Sequence, residues 1–290
     1  AYPVIEERGI DGPHGTIPLR IYLPDGESSD LGLVWCHGGA FFAGDLDMPE
    51  NDWVARRLAQ RGIRVVTVDY RRVPKPEGPR WKDLAADNDL ERPNHFPVAS
   101  EEVTAAWVWA SNHDTARSWA LGGASAGANL AAGATLRLRD RGGPVPRALL
   151  LAYPVVHAEL PPLSAELRAK AEALPDEAAF WPDSVRSMNL NYVEDPALLK
   201  QPYAFPGGHD LSGLPPTFII NCDHDTLRAS GEQFGAELLA GGVDVTVIRE
   251  PDTVHGHLNT PDVPQAQASI TRMADWLTST TLLGSAHERN

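Results

Sequence analysis

Residues 119–130 read WALGGASAGANL, an apolar run that meets a cluster of small residues around a serine. The apolar run predicts a buried strand, and the small residues continue as a helix. Gly123 to Gly127 match the G-x-S-x-G elbow, in which a serine takes a strained backbone conformation between strand and helix. Both glycines have a mechanical reason, because side chains there would collide where strand and helix approach. Ser125 would then stand at a helix N-terminus, where N–H groups and the helix dipole favour negative charge.

The same stretch has a simpler interpretation as a turn followed by a tightly packed helix. A single G-x-S-x-G match carries an appreciable false-positive rate. The rest of the chain must therefore supply the base, the carboxylate and the N–H donors that serine chemistry requires.

Length, composition and charge limit the classes of protein to consider. A chain of 290 residues can bury one large core and still carry a small lid. The hydrophobic content of 42% and charged content of 22% are ordinary for a globular protein. No apolar run approaches the length of a bilayer span, so no membrane role is expected. The formal net charge of −14 argues against a nucleic-acid partner, because phosphate binding needs a basic surface.

The two cysteines, Cys36 and Cys222, each stand at the end of an apolar run. This position favours free buried thiols in a reducing compartment over a disulfide or a metal site. No Cys-x-x-Cys pair or His-x-x-x-His spacing indicates a metal, and no cofactor is expected. The N-terminus shows no basic segment leading into an apolar one, so we expect a cytoplasmic location.

Apolar runs of strand length alternate with helical patterns along the chain. The patterns predict strands at 17–23, 31–36, 63–68, 147–153, 216–221 and 243–248, and helices at 51–61, 98–111, 227–240 and 266–277, with a frayed tail from 279. This alternation predicts an α/β fold with a mostly parallel sheet and helices on both faces.

The segment 155–208 differs from the rest, because it is rich in Glu, Ala, Leu, Arg and proline. Its composition predicts a few short helices that form a cap, with residues 1–154 and 209–290 as the catalytic core. The alternative is an ordinary pair of helices in the main layer. The stretch 73–97 lacks periodicity and predicts a long surface loop.

Four loops with reactive or glycine-rich residues follow predicted strands. They are the glycine loop 37–39, the Ser125 elbow, the loop 223–225 and the loop 255–257. Because active groups in such sheets gather at the carboxyl ends of the strands, we expect all four loops at one edge. Together they supply a nucleophile, carboxylates, histidines and N–H donors, which are the groups that acyl transfer requires.

The order serine, acid, histidine is the order of α/β-hydrolases. Further motifs extend the likeness over nearly the whole chain: HGGA at 37–40, DYR at 69–71, FP at 96–97, AYPV at 152–155, LPP at 214–216, DTLR at 225–228 and VHG at 254–256. With these motifs the chain resembles the hormone-sensitive-lipase-like esterases, also called family IV esterases. The resemblance implies an α/β-hydrolase fold with a small helical cap.

The resemblance also implies roles for individual residues. Ser125 would be the nucleophile, Asp225 the acid and His255 the base. The oxyanion hole would consist of backbone N–H groups, those of Gly38, Gly39 and Ala126. His37 would brace the glycine loop.

Two alternatives remain within these loops. Asp223 could replace Asp225 as the acid, although the family motif places the acid directly before Thr-Leu-Arg. His257 could replace His255, although glycine follows the base in the family pattern. The chain also departs from the family at Ala124, where a carboxylate usually precedes the nucleophile.

The implied activity is that of a carboxylesterase that hydrolyses small, uncharged, short-chain esters through an acyl-enzyme on Ser125. The expected partner is a small-molecule ester, and a homodimer through the last strand and helix is a further expectation. Candidates for the substrate pocket are Phe41, Trp81, Trp181, Leu227 and His257. Alternatives on the same machinery are an amidase, a lactonase, or an enzyme for acetyl esters or drugs. A ligand-binding protein on the same scaffold is disfavoured, because such proteins typically lose the base and His255 is present.

Overall fold

The computed structural model describes residues 2–25, 30–81, 94–113 and 116–287. Within this part of the chain, eight strands form one sheet in the order β1-β2-β4-β3-β5-β6-β7-β8. Strand β2 runs antiparallel to both of its neighbours, and all other pairs are parallel. The predicted α/β fold with a mostly parallel sheet is confirmed.

The strands are β1 (Val4–Ile10), β2 (Ile17–Leu23), β3 (Leu31–Cys36), β4 (Arg64–Val68), β5 (Ser118–Ala124), β6 (Leu149–Ala152), β7 (Thr217–His224) and β8 (Val245–Val254). The helices are α1 (Asp52–Ala59), α2 (Val98–His113), α3 (Ala126–Asp140), α4 (Ala165–Glu172), α5 (Pro182–Val193), α6 (Arg228–Ala240) and α7 (Pro264–His287). None of the helices in the described part of the chain has both the length and the apolar character needed to span a bilayer.

The core lies in two layers, one on each face of the sheet. One layer packs α2, α3 and α6 against the sheet, with Val103, Leu130 and Phe234 among its members. The other packs α1 and α7 through residues such as Leu58 and Met273. The strands β3 and β6 are buried along their whole length. Apolar residues on both faces of a strand are expected when helices cover both sides of a parallel sheet.

Three elements differ from the sequence-based expectations. Strand β1 had no predicted counterpart. Strand β8 continues to Val254, six residues beyond the predicted end at 248, because the chain stays paired with β7 past the irregularity near Cys222. Helix α7 continues to His287, ten residues beyond the predicted end at 277.

The segment 155–208 contains α4, α5 and two short 3₁₀ helices, at Asp176–Ala178 and Pro196–Lys200, and no strand. In the chain, this segment lies between β6 and β7. Helix α4 packs against β7. These short helices agree with the prediction made from the composition of the segment. The role of the segment as a cap remains a prediction. Of the long loop 73–97, residues 82–93 lie outside the described residues.

The close approach of α3 to the ends of β3 and β5 generates a prediction about stability. A Cβ atom added at Gly127 would overlap the carbonyl oxygens of Cys36 and His37. Because these are backbone atoms, the surrounding chain must shift to make room. We expect Gly127→Ala to lower the free energy of unfolding by about 1–3 kcal/mol in urea titrations.

Gly143 supplies the matched control for this substitution. A Cβ atom added there meets no other atom within 4 Å. We expect the unfolding curve of Gly143→Ala to superimpose closely on that of the unsubstituted protein. Equal curves for Gly127→Ala and Gly143→Ala would contradict the steric account of the elbow.

Candidate active site

Ser125 stands at the corner between β5, which ends at Ala124, and α3, which begins at Ala126. Its backbone has φ 54° and ψ −118°, a conformation that is strained for a residue with a side chain. The Ser125 N–H donates to the carbonyl oxygen of Ala152 at 2.9 Å, and this bond anchors the corner to the end of β6. The backbone therefore has the geometry of the predicted elbow.

His255 connects Ser125 to Asp225 through two hydrogen bonds. The Ser125 Oγ atom lies 2.9 Å from His255 Nε2, and His255 Nδ1 lies 2.6 Å from Asp225 Oδ2. The other carboxylate oxygen, Oδ1, accepts the Leu227 N–H at 2.9 Å, which fixes the orientation of the acid. A proton on Nδ1 leaves Nε2 free to accept the hydroxyl proton of Ser125. The residues that the sequence singled out as nucleophile, base and acid are thus in contact.

The environment of His255 favours its protonated form. Burial lowers the pKa of His255, but the charge of Asp225 and its hydrogen bond raise it, and the net shift is upward. An imidazole with a raised pKa is a stronger base than a free imidazole. It also tolerates the positive charge that arises when it takes a proton from serine.

Asp223, the alternative acid, faces cations instead of His255. Its Oδ1 atom lies 2.7 Å from Lys170 Nζ and 3.0 Å from Arg228 Nη1. Burial opposes ionisation of Asp223, but the hydrogen bond and charge of Lys170 outweigh it and lower the pKa. The contacts therefore favour Asp225 as the acid.

His257, the alternative base and a pocket candidate, belongs to a separate buried network. Its Nδ1 atom lies 3.1 Å from Cys222 Sγ, and its Nε2 atom lies 2.7 Å from Ser269 Oγ. Burial lowers the pKa of His257 to about 4, so the ring is neutral. Both ring nitrogens are engaged with buried groups, so neither is available to act as the base, and a place for His257 in the substrate pocket stays a prediction.

The glycine loop lies beside Ser125 but differs in detail from the prediction. A Cβ atom on Gly38 would stand 3.0 Å from Ser125 Cβ. However, the Gly38 N–H donates to the buried carboxylate Oε1 of Glu50 at 2.6 Å. An N–H that is already bonded to a carboxylate is not free to bind an oxyanion, so the assignment of Gly38 as a donor is wrong. The predicted donors Gly39 and Ala126 remain.

His37 contacts the loop that it was predicted to brace. Its Nδ1 atom lies 2.6 Å from the Gly38 carbonyl oxygen, and its ring stacks on Tyr70 with centroids 4.6 Å apart. The Tyr70 hydroxyl donates to the His37 carbonyl at 2.7 Å. Burial lowers the pKa of His37 to about 4, so the ring is neutral and donates from Nδ1 to the carbonyl.

The remaining pocket candidates occupy different positions. Phe41 is buried and stacks on Tyr192 of α5, with ring centroids 4.0 Å apart. Trp81 is buried against Phe42. Trp181 is partly exposed at the start of α5.

Leu227 and Phe180 lie closer to the triad. Leu227 is buried, and its N–H orients Asp225. Phe180, which the sequence analysis missed, contacts the His255 ring edge-on with centroids 4.9 Å apart. It lies in the segment 155–208, where no motif marks individual side chains.

One group of side chains in the described residues has the proximity that a metal ion needs. Ligand atoms of Asp223, His224 and Asp252 all lie within 4.8 Å of one another. Asp223 is already paired with Lys170 and Arg228, whose charges compete with a cation. We therefore assign no metal to this group.

Comparisons with known proteins agree with the fold. A family model of the α/β-hydrolase fold matches residues 33–86 and 92–259. The carboxylesterase NlhH of Mycobacterium tuberculosis is 34% identical over 278 residues, which cover 92% of this chain and 79% of the relative. The carboxylic ester hydrolase LipN of the same organism is 32% identical over 271 residues, which cover 88% of this chain and 64% of the relative.

Solved structures of esterases are similar over almost the entire chain. An esterase of Pyrobaculum calidifontis has a TM-score of 0.78 at 28% identity, covering 96% of this chain and 86% of the esterase. EstE1, a thermophilic carboxylesterase from a metagenomic library, has a TM-score of 0.80 at 26% identity, covering 97% and 90%.

A parallel sheet with a serine elbow, a histidine and a carboxylate at its edge is the architecture of an α/β-hydrolase. With the family match and these relatives, the chain belongs to the α/β-hydrolase family, in its hormone-sensitive-lipase-like branch. It is a carboxylic ester hydrolase.

The different partners of the two aspartates generate a second prediction. Asp225→Asn places an amide against His255 Nδ1 and disfavours the tautomer in which Nε2 accepts a proton. We expect kcat on a p-nitrophenyl ester to fall by about 10⁴-fold. Asp223→Asn, which leaves the His255 contacts in place, is the matched control, and we expect it to keep most of the turnover. An equal loss in both variants would reverse the choice of acid.

Proposed function

We propose that the protein hydrolyses esters through an acyl-enzyme on Ser125. The Ser125 Oγ attacks the ester carbonyl carbon while His255 Nε2 takes the hydroxyl proton. The resulting tetrahedral intermediate collapses, the carbon–oxygen bond of the ester breaks, and the alcohol leaves with the proton from His255. Water then attacks the acyl-enzyme with His255 again as base, which releases the acid and restores the serine.

The hydrogen-bonded chain from Ser125 through His255 to Asp225 is the observation that carries this proposal. Its distances of 2.9 Å and 2.6 Å are within the range required for proton transfer. The raised pKa of His255 supports its role as base, since Asp225 stabilises the imidazolium that forms.

We assign stabilisation of the oxyanion to the backbone N–H groups of Gly39 and Ala126. Ala126 is the first residue of α3, where backbone N–H groups have no partner within the helix. Gly39 belongs to a turn with positive φ in three consecutive residues, 120° at Gly39, 53° at Ala40 and 69° at Phe41. Preorganised donors of this kind are worth about 100- to 1000-fold in turnover each.

For the substrate we propose small, uncharged esters with short acyl chains. The support is the aromatic packing that joins the glycine loop to α5, where Tyr192 contacts Phe41, Phe96 and Phe205. Phe180 and Tyr153 add two more rings, both against His255. Apolar rings favour uncharged substrates, and close ring packing around the loop limits the length of an acyl chain.

Removal of the nucleophile tests the proposed mechanism. We expect Ser125→Ala to lower kcat by about 10⁶-fold, because the acyl-enzyme has no atom on which to form. A fluorophosphonate probe should label Ser125 of the unsubstituted protein, as located by peptide mass spectrometry, and should leave the Ser125→Ala variant unlabelled.

Ser269 provides the matched control, because it also forms a hydrogen bond with a histidine, His257. Ser269 is fully buried, so the probe should not reach it. We expect Ser269→Ala to keep its label on Ser125 and most of its turnover. A label on any residue other than Ser125 would contradict the proposed mechanism.

A panel of substrates tests the proposed specificity. We expect kcat/KM to be highest for p-nitrophenyl esters of two to six carbons and to fall for longer acyl chains, because the aromatic packing limits their length. The same panel should contain matched amides, lactones and acetylated alcohols. A higher kcat/KM on one of these classes, or on long-chain esters, would replace the short-chain assignment while leaving the serine mechanism intact.

A further inference from the structure

Glu50 is a buried carboxylate that the triad does not use. It lies two residues before α1 and is 2% exposed. Its Oε1 atom accepts the Gly38 N–H at 2.6 Å, and its Oε2 atom accepts the Asn259 side-chain amide at 3.2 Å and the Tyr153 hydroxyl. These three partners come from three different loops at the edge of the sheet where Ser125 lies.

The hydrogen-bond pattern around Glu50 matches an ionised carboxylate. The Gly38 N–H can only donate. The Asn259 amide is oriented with its NH₂ toward Glu50, because its Oδ1 atom accepts the Glu50 backbone N–H at 3.1 Å. Burial raises the pKa of Tyr153 well above its usual value, so the hydroxyl keeps a proton to donate. Burial raises the pKa of Glu50, and the hydrogen bonds from Tyr153 and Gly38 offset only part of that shift, so the case for a carboxylate rests on the three donors that face its oxygens.

Each partner of Glu50 is close to a reacting group. Gly38 lies against Ser125, since a Cβ atom on Gly38 would be 3.0 Å from Ser125 Cβ. The Tyr153 ring contacts the His255 ring edge-on, with centroids 5.0 Å apart. Asn259 lies four residues after His255, at the end of the 3₁₀ turn that follows it. Glu50 therefore connects the glycine loop to the loop that carries the base.

We propose that Glu50 is a positioning residue for ester hydrolysis, which as a carboxylate fixes the glycine loop and the His255 loop relative to Ser125 and stabilises the imidazolium of His255. This inference rests on the proposed serine mechanism. Glu50 transfers no proton and forms no bond to substrate; it acts through Gly38, Tyr153 and its negative charge. A fixed loop keeps the N–H of Gly39 directed to where the oxyanion forms.

The charge of Glu50 predicts a shift in the pH profile that a merely structural residue would not produce. The charged groups that act on His255 are Asp225 and Glu50, which raise its pKa, and Arg80, which lowers it. His257 is neutral because its pKa is about 4. Because His255 must be neutral to act as base, the acid limb of kcat/KM follows its pKa. Loss of the Glu50 charge lowers that pKa and moves the acid limb to lower pH.

Glu50→Gln removes the charge and nearly preserves the shape. It also places an NH₂ group against one of the donors, either Gly38 or the pair Tyr153 and Asn259. We expect kcat on a short-chain p-nitrophenyl ester to fall by about 100-fold with a smaller change in KM. The acid limb of kcat/KM should move to lower pH. Glu50→Asp, which keeps the charge, should leave the acid limb in place and lose less turnover.

Glu102→Gln is the matched control, because Glu102 is also fully buried but pairs with Arg71 away from the triad. The acid limb of kcat/KM of Glu102→Gln should stay at the pH of the unsubstituted protein. If Glu50→Gln does not fold, as judged by circular dichroism, Tyr153→Phe takes its place. That variant removes one donor from Glu50 and keeps the ring against His255, and we expect kcat to fall by about tenfold.

The outcomes separate this inference from the proposed mechanism. An unchanged kcat in Glu50→Gln or in Tyr153→Phe would overturn the inference. A fall in kcat of Glu50→Gln with an unshifted acid limb would also overturn it, because a merely structural residue would give that result. If a fluorophosphonate labels Ser125 equally fast in the unsubstituted protein and in Glu50→Gln, the role of Glu50 fails while the serine mechanism stands. If the unsubstituted protein is not labelled at Ser125, the mechanism itself fails.

Discussion

The backbone contact between α3 and the ends of β3 and β5 is the constraint on which the site depends. Gly127 brings α3 against the carbonyl oxygens of Cys36 and His37, and Gly123 brings β5 against Gly127. The contact forces Ser125 into a positive-φ corner and presents its Oγ atom above the sheet. The strain is stable because the buried core on both faces determines where strand and helix lie. Without this approach, neither the nucleophile nor the helix N-terminus would face His255.

The electrostatics at the end of β7 separate two aspartates that stand two residues apart. Asp223 is paired with Lys170 of α4 and Arg228 of α6, whereas Asp225 is bonded to the Leu227 N–H and to His255. The cations bind one carboxylate and leave the other to the imidazole. Since Lys170 belongs to the segment 155–208, the same ion pairs also hold α4 on the core. The family motif favours Asp225 in the sequence, but the physical reason for the difference lies in partners distant in the chain.

The fold was more predictable from the sequence than the site. Buried parallel strands appear as short apolar runs, so β3, β5 and β6 could be located from their residues. The end of β8 could not, because residues 249–254 are mostly polar and include a proline, so no strand pattern marks the part of β8 that stays paired with β7. The triad could be predicted because glycine and loop motifs mark it. Phe180 could not, since its importance comes from contact with His255 and not from any spacing.

Ala124 and Glu50 show that a buried carboxylate beside the nucleophile can come from a position that no sequence motif marks. The sequence marks Ala124 as a departure, because related esterases usually carry a carboxylate there. Ala124 is fully buried. Its carbonyl oxygen and Glu50 Oε1 both lie against Gly38, because a Cβ atom added to Gly38 would stand 3.1 Å from the first and 2.6 Å from the second. A carboxylate thus contacts the glycine loop beside the nucleophile, but it comes from the turn that precedes α1. In sequence, an acidic residue there resembles an ordinary helix N-terminal residue that interacts with the dipole. Only the folded chain brings it to Gly38, and this proximity gives Glu50 its influence on Ser125 and His255.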